Sequence, residues 1–143
     1  MSIDVIDLRN FYSHRLGVVT RRLMWQALAA RWPDTRGMRV LGIGYCTPYL
    51  GLFQDSAERC LAFMPAAQGV LKWPTAKPTL SALVDEHDLP LADSTIDRIL
   101  LVHAVEMSND PASLLREVWR VLAPGGQVMA VIPNRGGLWV RSE

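Results

Sequence analysis

His103 closes an apolar run from Ile96 to Val102, and Glu106 follows at the start of the next loop. An imidazole titrates close to neutrality, so a histidine at a strand end is suited to taking or giving a proton. The same position also suits a packed or solvent-facing histidine. His14 and His87 have weaker claims, since one lies in a helical leader and the other in the acidic turn Asp85-Glu86-His87-Asp88-Leu89-Pro90. The carboxylates of that turn either meet a ligand or cap the segment that follows. Gly42 and Gly44 end another apolar run, Met38 to Ile43, where the missing β-carbon lets backbone approach a ligand or complete a tight turn. Cys46 and Cys60 have no metal-ligand spacing and read as free thiols.

These residues need a scaffold, and the local patterns supply one. Asp110 before Pro111 is an N-cap followed by a residue whose missing N–H costs nothing in the first turn. Leu114, Leu115, Val118, Val121 and Leu122 then follow the spacing of an amphipathic helix, with Arg116, Glu117 and Arg120 on or near its wet side. Pro124-Gly125-Gly126 ends that helix and turns the chain into an apolar strand, Gln127 to Ile132. Two apolar strands joined by a helix predict a parallel crossover, with ligands beyond the strands' C-terminal ends. Cys60 to Met64 reads as a further strand. Upstream, Leu16, Val19, Leu23, Ala27 and Ala30 predict the packed face of a leader helix with solvated arginines, stopping at Trp32-Pro33-Asp34. A shorter helix, Val5 to Tyr12, precedes it.

The fold class is therefore α/β: a Rossmann-like, doubly wound, mainly parallel sheet with helices on both faces and an N-terminal helical leader. A chain of 143 residues with net charge +1 and 50% hydrophobic residues is expected to form one domain. Residues 1–36 would be the leader, 37–134 the core and 135–143 the start of a C-terminal part. The near-neutral balance indicates no nucleic acid. No apolar run approaches a membrane span of roughly 20 residues, and the N-terminus lacks the apolar centre of a signal peptide, so the expectation is a cytoplasmic protein. The stretch Trp73–Pro78 reads as an exposed loop.

The segment from Asp85 to Asn134, with LPLADSTID followed by LLREVWRVLAPGG, resembles the class I S-adenosylmethionine-dependent methyltransferases, in the type 11-like subgroup marked by RVLxPGG. The likeness covers roughly residues 37 to 134. It implies S-adenosylmethionine as cofactor and methyl transfer to an unidentified acceptor, the alternative being a methyltransferase-like binding or regulatory module without turnover. By resemblance, the cofactor would meet Gly42, Gly44, Tyr45, Met64, Asp85, Glu86, Leu89 and His103. Asp85 and the N–H of Glu86 would face the adenine, with Leu89 and Pro90 walling the ring. His103 would lie beside the methyl group as the catalytic base. Glu106 matches the glutamate of a common glutamate-histidine pair, and Met107 takes the place of its histidine. Phe11 and Tyr12 of the leader are expected to contact the active-site lid.

The chain also departs from the pattern. Gly42 stands where an acid is usual, Gly44 matches the first glycine, and Cys46 and Pro48 replace the next two. Phe63-Met64-Pro65 occupies the end of the second strand, where a carboxylate normally grips the ribose hydroxyls. Backbone near Gly44 and Pro65, or Gln68, is the expected compensation. A nicotinamide-dependent oxidoreductase would need a fuller GxGxxG and that same acid, and neither is present. Asp97, at the start of its strand, is expected to hold a turn or a neighbouring backbone N–H. The chain stops at Glu143, after a loop-like Pro133–Gly137 and an apolar Leu138–Val140. It is thus expected to be a fragment of a longer protein, or to associate with itself or a partner at an open sheet edge.

Overall fold

The computed structural model describes residues 5–66 and 80–132. Five strands make one parallel sheet: β1 (Arg39–Gly44), β2 (Arg59–Pro65), β3 (Ser81–Val84), β4 (Ile96–Val102) and β5 (Leu122–Val131), in the order β3-β2-β1-β4-β5. The first strand in sequence is central. The chain winds to one edge through β2 and β3, then returns across β1 and builds the other edge through β4 and β5. The strand order reverses between β1 and β4, and the C-terminal ends of the strands at such a reversal are the usual ligand position of doubly wound sheets.

Alternate strand residues point to opposite faces, and each face has its own core. Val40, Leu100 and Val102 pack with Leu28 of α2 (Arg15–Arg31) and with Tyr49 and Leu50 of α3 (Thr47–Leu50). Leu41, Ile43, Ile99 and Leu101 pack with Leu114, Val118 and Val121 of α4 (Pro111–Val121). Each such side chain, when fully buried, contributes roughly 1.5–3 kcal/mol relative to an exposed one. A further helix, α1 (Val5–Ser13), lies against α2.

The crossover from β4 to β5 forms where the sequence predicts it. Asp110 accepts the N–H of Ser113 at 3.2 Å and its hydroxyl at 2.6 Å, which holds the Asp110 carboxyl below its ordinary range. At the other end the chain turns extended at Leu122, which pairs with Ile96. The next regular pair is Arg98 with Gln127, so Ala123–Gly126 bulges out of the ladder, with Gly125 at a φ of 77°. The Pro-Gly-Gly segment is therefore an irregularity inside β5 and not a turn before it. Asp97 accepts the N–H of Arg39 at 2.9 Å, tying β4 to the start of β1 as expected.

Two expectations are corrected. The apolar series Leu16, Val19 and Leu23 faces solvent, at 51%, 47% and 58% exposure. The helix docks through Gly17 and Leu28, with Trp25 donating to the Pro48 carbonyl and Trp32 buried just past its end. Gly17 is where α1 comes against α2, because a β-carbon there would lie 2.1 Å from the Phe11 carbonyl oxygen. Glu117 and Arg120 are likewise not on a wet face. Glu117 accepts the Leu89 N–H at 2.8 Å, while Arg120 donates to the Leu89 and Leu91 carbonyls at 2.9 and 2.8 Å. The pair clamps the loop between β3 and β4 onto α4. Trp73–Pro78, Gln68, Pro133–Gly137 and Leu138–Val140 lie outside the described residues.

Candidate active site at the strand ends

The loop after β1 is shaped by contact with its own protein. Gly44 has a φ of 94°, and a β-carbon there would lie 2.1 Å from the Val102 carbonyl oxygen, so the backbone at this turn lies directly against β4. The Tyr45 N–H donates to that carbonyl at 2.8 Å. Gly42 is matched to Cys46: its β-carbon would meet Cys46 Cβ at 2.6 Å and Leu50 Cδ1 at 2.9 Å. The thiol of Cys46 donates to the Ile43 and Leu100 carbonyls. Burial pushes the Cys46 thiol well above its usual range and that of Cys60 to about 12, so both stay protonated.

Over this loop sits an aromatic cluster closed by α1. Tyr12 stacks on Tyr45, with centroids 5.4 Å apart and planes at 19°, and meets Tyr49 and Phe11 edge-on. Its hydroxyl lies 2.7 Å from the Tyr49 hydroxyl and 3.2 Å from His103 Nε2. Burial, with Tyr49 beside it, raises the Tyr12 phenol far above its normal range and keeps it neutral.

His103 is buried at the end of β4 with a φ of 51°, a left-handed conformation unusual for a residue with a side chain. Its Nδ1 lies 3.3 Å from Glu106 Oε1. A carboxylate there favours the tautomer protonated on Nδ1, leaving Nε2 to accept from the Tyr12 hydroxyl.

The acidic turn lies at the ends of β2 and β3. Pro65 pairs with Val84, so Asp85 and Glu86 follow immediately beside the end of β2. Asp85 is exposed and accepts the His87 N–H at 2.9 Å, closing a turn in the way of an Asx motif. Glu86 is buried at 8% exposure with its carboxylate 3.6 Å from His87 Nε2. That nitrogen lies 3.1 Å from the Ser108 hydroxyl, which joins the turn to the loop after β4. Met64 is 1% exposed, and Leu89 sits in the core beneath α4.

The structure thus gathers Gly44, Tyr45 and His103 at the ends of β1 and β4, and Met64, Asp85 and Glu86 at the ends of β2 and β3. Gly42 and Leu89 stand one layer back, packed against protein. Sequence reasoning missed Tyr49 and Ser108. Tyr45 and Tyr49, four residues apart, were the available signal for an aromatic cluster. Among the described residues no group of histidine, cysteine and acidic side chains is arranged to hold a metal ion, and no helix is long and apolar enough to cross a membrane.

The family model described as a methyltransferase domain matches residues 27–130. No curated protein matches this chain closely enough to count as a relative. Among solved structures, an S-adenosylmethionine-dependent methyltransferase from Thermotoga maritima is 21% identical with a TM-score of 0.70, the likeness covering 96% of this chain and 62% of that one. A Methanococcus maripaludis chain, described as an S-adenosyl-L-methionine-dependent methyltransferase, is 17% identical with a TM-score of 0.63, over 91% and 64%. A Haloferax volcanii chain, described as a methyltransferase and seen in complex with the Trm112 methyltransferase activator, is 25% identical with a TM-score of 0.58, over 73% and 49%. The chain therefore spans about half to two thirds of the length of these structures. With the family model covering most of its sequence, and with this strand order and helical leader, the chain belongs to the methyltransferase-domain family and has the fold of the class I S-adenosylmethionine-dependent methyltransferases.

Proposed function

We propose that this chain holds S-adenosylmethionine across the C-terminal ends of β1 to β4 and directs methyl transfer to an acceptor whose proton passes to His103. The observation that carries the reading is His103 itself: buried, held in a left-handed conformation, and poised between Glu106 and a hydroxyl group. Strained side chains of this kind persist where the surrounding structure fixes them, and active sites are where they cluster.

The residues present fit the cofactor on two sides. The Gly44–Tyr45 turn stands at the C-terminal end of β1, and Asp85 and Glu86 stand beside the end of β2, where the ribose acid is missing. In this reading a carboxylate from the next strand compensates for Met64, and Asp85 with the Glu86 N–H serves the nucleoside. The bound cofactor supplies an already activated methyl group on a sulfonium, so the protein's own work is alignment and proton removal. His103 Nε2 accepts the proton, and Glu106 holds the ring and stabilises its cationic form.

A calorimetric titration with S-adenosylmethionine and S-adenosylhomocysteine tests the cofactor. Binding of both is expected, and absence of either heat signal at millimolar ligand would end the enzyme reading for this chain. His103→Gln should then lower turnover by about 10²–10⁴-fold with little change in S-adenosylhomocysteine affinity. The second reading, a binding module without turnover, is favoured by one observation: the apolar Met64 and Pro65 at the end of β2. Binding of both compounds by wild type with no methyl transfer to any acceptor offered would support it.

A partner belongs to the proposal as well. Among the described strands, β5 pairs only with β4, and a cleft of about 850 Å³ opens between it and α2. The Haloferax chain is found with an activator protein. We take the free edge of β5 as the place where this chain meets itself or a partner.

A further inference from the structure

We propose that the acceptor is a neutral aromatic hydroxyl compound, a phenol, and that Tyr12 occupies its subsite in the structure as an internal stand-in. The Tyr12 side chain is enclosed by aromatic rings. Its ring lies flat on Tyr45, 5.4 Å away, and its edge meets Tyr49 and His103, with ring centroids at 5.9 and 6.1 Å. Its hydroxyl is shared between the Tyr49 hydroxyl at 2.7 Å and His103 Nε2 at 3.2 Å. This is a slot for a planar ring ending in one hydroxyl, with a base against that oxygen. A cationic amine would suit it poorly, because the groups that meet the Tyr12 hydroxyl are a second phenol and an imidazole, and Glu106 approaches the opposite nitrogen of that imidazole.

The stand-in is built to leave. Among the described side chains of α1 only Leu8 is buried, with Phe11 and Tyr12 half-buried and the others exposed. The helix is separated from α2 by a single extended residue, His14, at φ −86° and ψ 162°. Withdrawal of α1 would uncover Tyr45, Tyr49 and His103 together. A phenol entering in place of Tyr12 puts its oxygen on Nε2. As the oxygen–carbon bond forms, the hydroxyl proton passes to Nε2 and the carbon–sulfur electron pair returns to sulfur, leaving methyl ether, thioether and imidazolium. Release of that proton to solvent resets the site. The binding part of this inference stands on the aromatic slot alone, whereas the reaction rests on the methyl-transfer reading above.

The test uses the full 143-residue chain and p-cresol, which is the tyrosine side chain as a free molecule. Tyr12→Ala empties the slot and frees His103 Nε2 of the Tyr12 hydroxyl while keeping the imidazole. p-Cresol and toluene are titrated into wild type and variant by calorimetry, with the His103 ring signals followed by NMR. The expected result is at least tenfold tighter binding of p-cresol than of toluene to the variant, at least tenfold tighter binding of p-cresol to the variant than to wild type, and a shift of the His103 signals. Equal binding of the two compounds, no p-cresol binding to the folded variant, or unmoved His103 signals would each overturn the proposal. Should Tyr12→Ala fail to fold, Tyr12→Leu, which refills part of the apolar space, is titrated against the same criteria. S-adenosylhomocysteine is titrated separately. Its failure to bind refutes the cofactor reading and leaves the p-cresol result to judge the slot, while its binding without p-cresol refutes the phenol alone.

Discussion

At the scale of single residues, the departure of the β1 loop from its family pattern has a steric explanation. The family places an acid at position 42 and a glycine at position 46, and this chain places Gly42 and Cys46 there. A β-carbon on residue 42 would overlap Cys46 Cβ at 2.6 Å, so a side chain at one position excludes one at the other. The two differences are therefore a single exchange of volume. A double-mutant cycle checks this: Gly42→Ala alone should destabilise through overpacking by about 1–3 kcal/mol, whereas with Cys46→Gly most of that loss should be recovered. Additive losses from the two substitutions, measured by urea unfolding, would show that the positions are independent. Gly44 has no such partner. Its positive φ and its contact with the Val102 carbonyl are backbone requirements, and no change elsewhere in a side chain relieves them. The apolar Met64 has no compensating exchange in its own strand; the neighbouring carboxylates of Asp85 and Glu86 lie just past the end of the next one.

Among the elements, α4 holds both the sheet and the loop that leads to it. Glu117 and Arg120 are three apart on the helix and bonded at 2.7 Å, and together they take up one N–H and two carbonyls of residues 89–91. The arginine holds the Glu117 carboxyl below its usual range, with the Leu89 N–H adding to the effect. A carboxyl whose folded-state pKa is depressed contributes stability that is present above the unfolded value, near 4.3, and is lost as pH falls through the lower folded value. The stability of wild type should accordingly drop between pH 5 and pH 3 by more than that of Glu117→Gln, which cannot titrate. Parallel thermal melts across that range measure the difference, and matching slopes would remove Glu117 from the account. This clamp also shows where periodicity stops being informative. Four of the five strands, the Asp110 cap and most of the α4 core face were legible because an apolar run and a capping carboxylate are local signals. The short, half-exposed β3 was not read, and Leu115, expected on the packed face, is exposed. The partners of Glu117 and Arg120 in that loop lie 27 to 31 residues away in sequence, and nothing local distinguishes such residues from solvated ones. The leader helix shows the same limit. Its apolar residues are spread around the axis, and the docked face is the one with Gly17 and the tryptophan contacts, which spacing does not reveal. Of the site, the loop glycines and His103 could be read from their strand ends. The closure of Tyr12 over Tyr45 and Tyr49 depends on how α1 folds back on α2, which is a tertiary fact.

For the molecule as a whole, the sheet has an asymmetry that bears on association. The β3 edge is a four-residue strand, Ser81–Val84, whereas β5 runs from Leu122 to Val131 and pairs only with β4 among the described strands. Its bulge at Ala123–Gly126 twists the first part, which is one means by which edges avoid pairing. From Gln127 onward the register with β4 is regular through Val131, and Val128 and Ile132 are exposed at 42% and 54%. Among the described residues no strand lies beside this edge of β5, and a regular apolar edge of that kind favours pairing with another strand. The chain is therefore expected to sediment as a dimer or larger species that dissociates on dilution, and Val128→Lys should shift it to monomer by placing a charge on the pairing face. Sedimentation velocity over a hundredfold range of concentration reads both outcomes. A wild-type chain that stays monomeric throughout would show that the β5 edge needs a partner other than itself. A Val128→Lys chain that associates as wild type does would place the contact elsewhere, and the solvent-facing Leu16, Val19 and Leu23 of α2 would be the next surface to substitute.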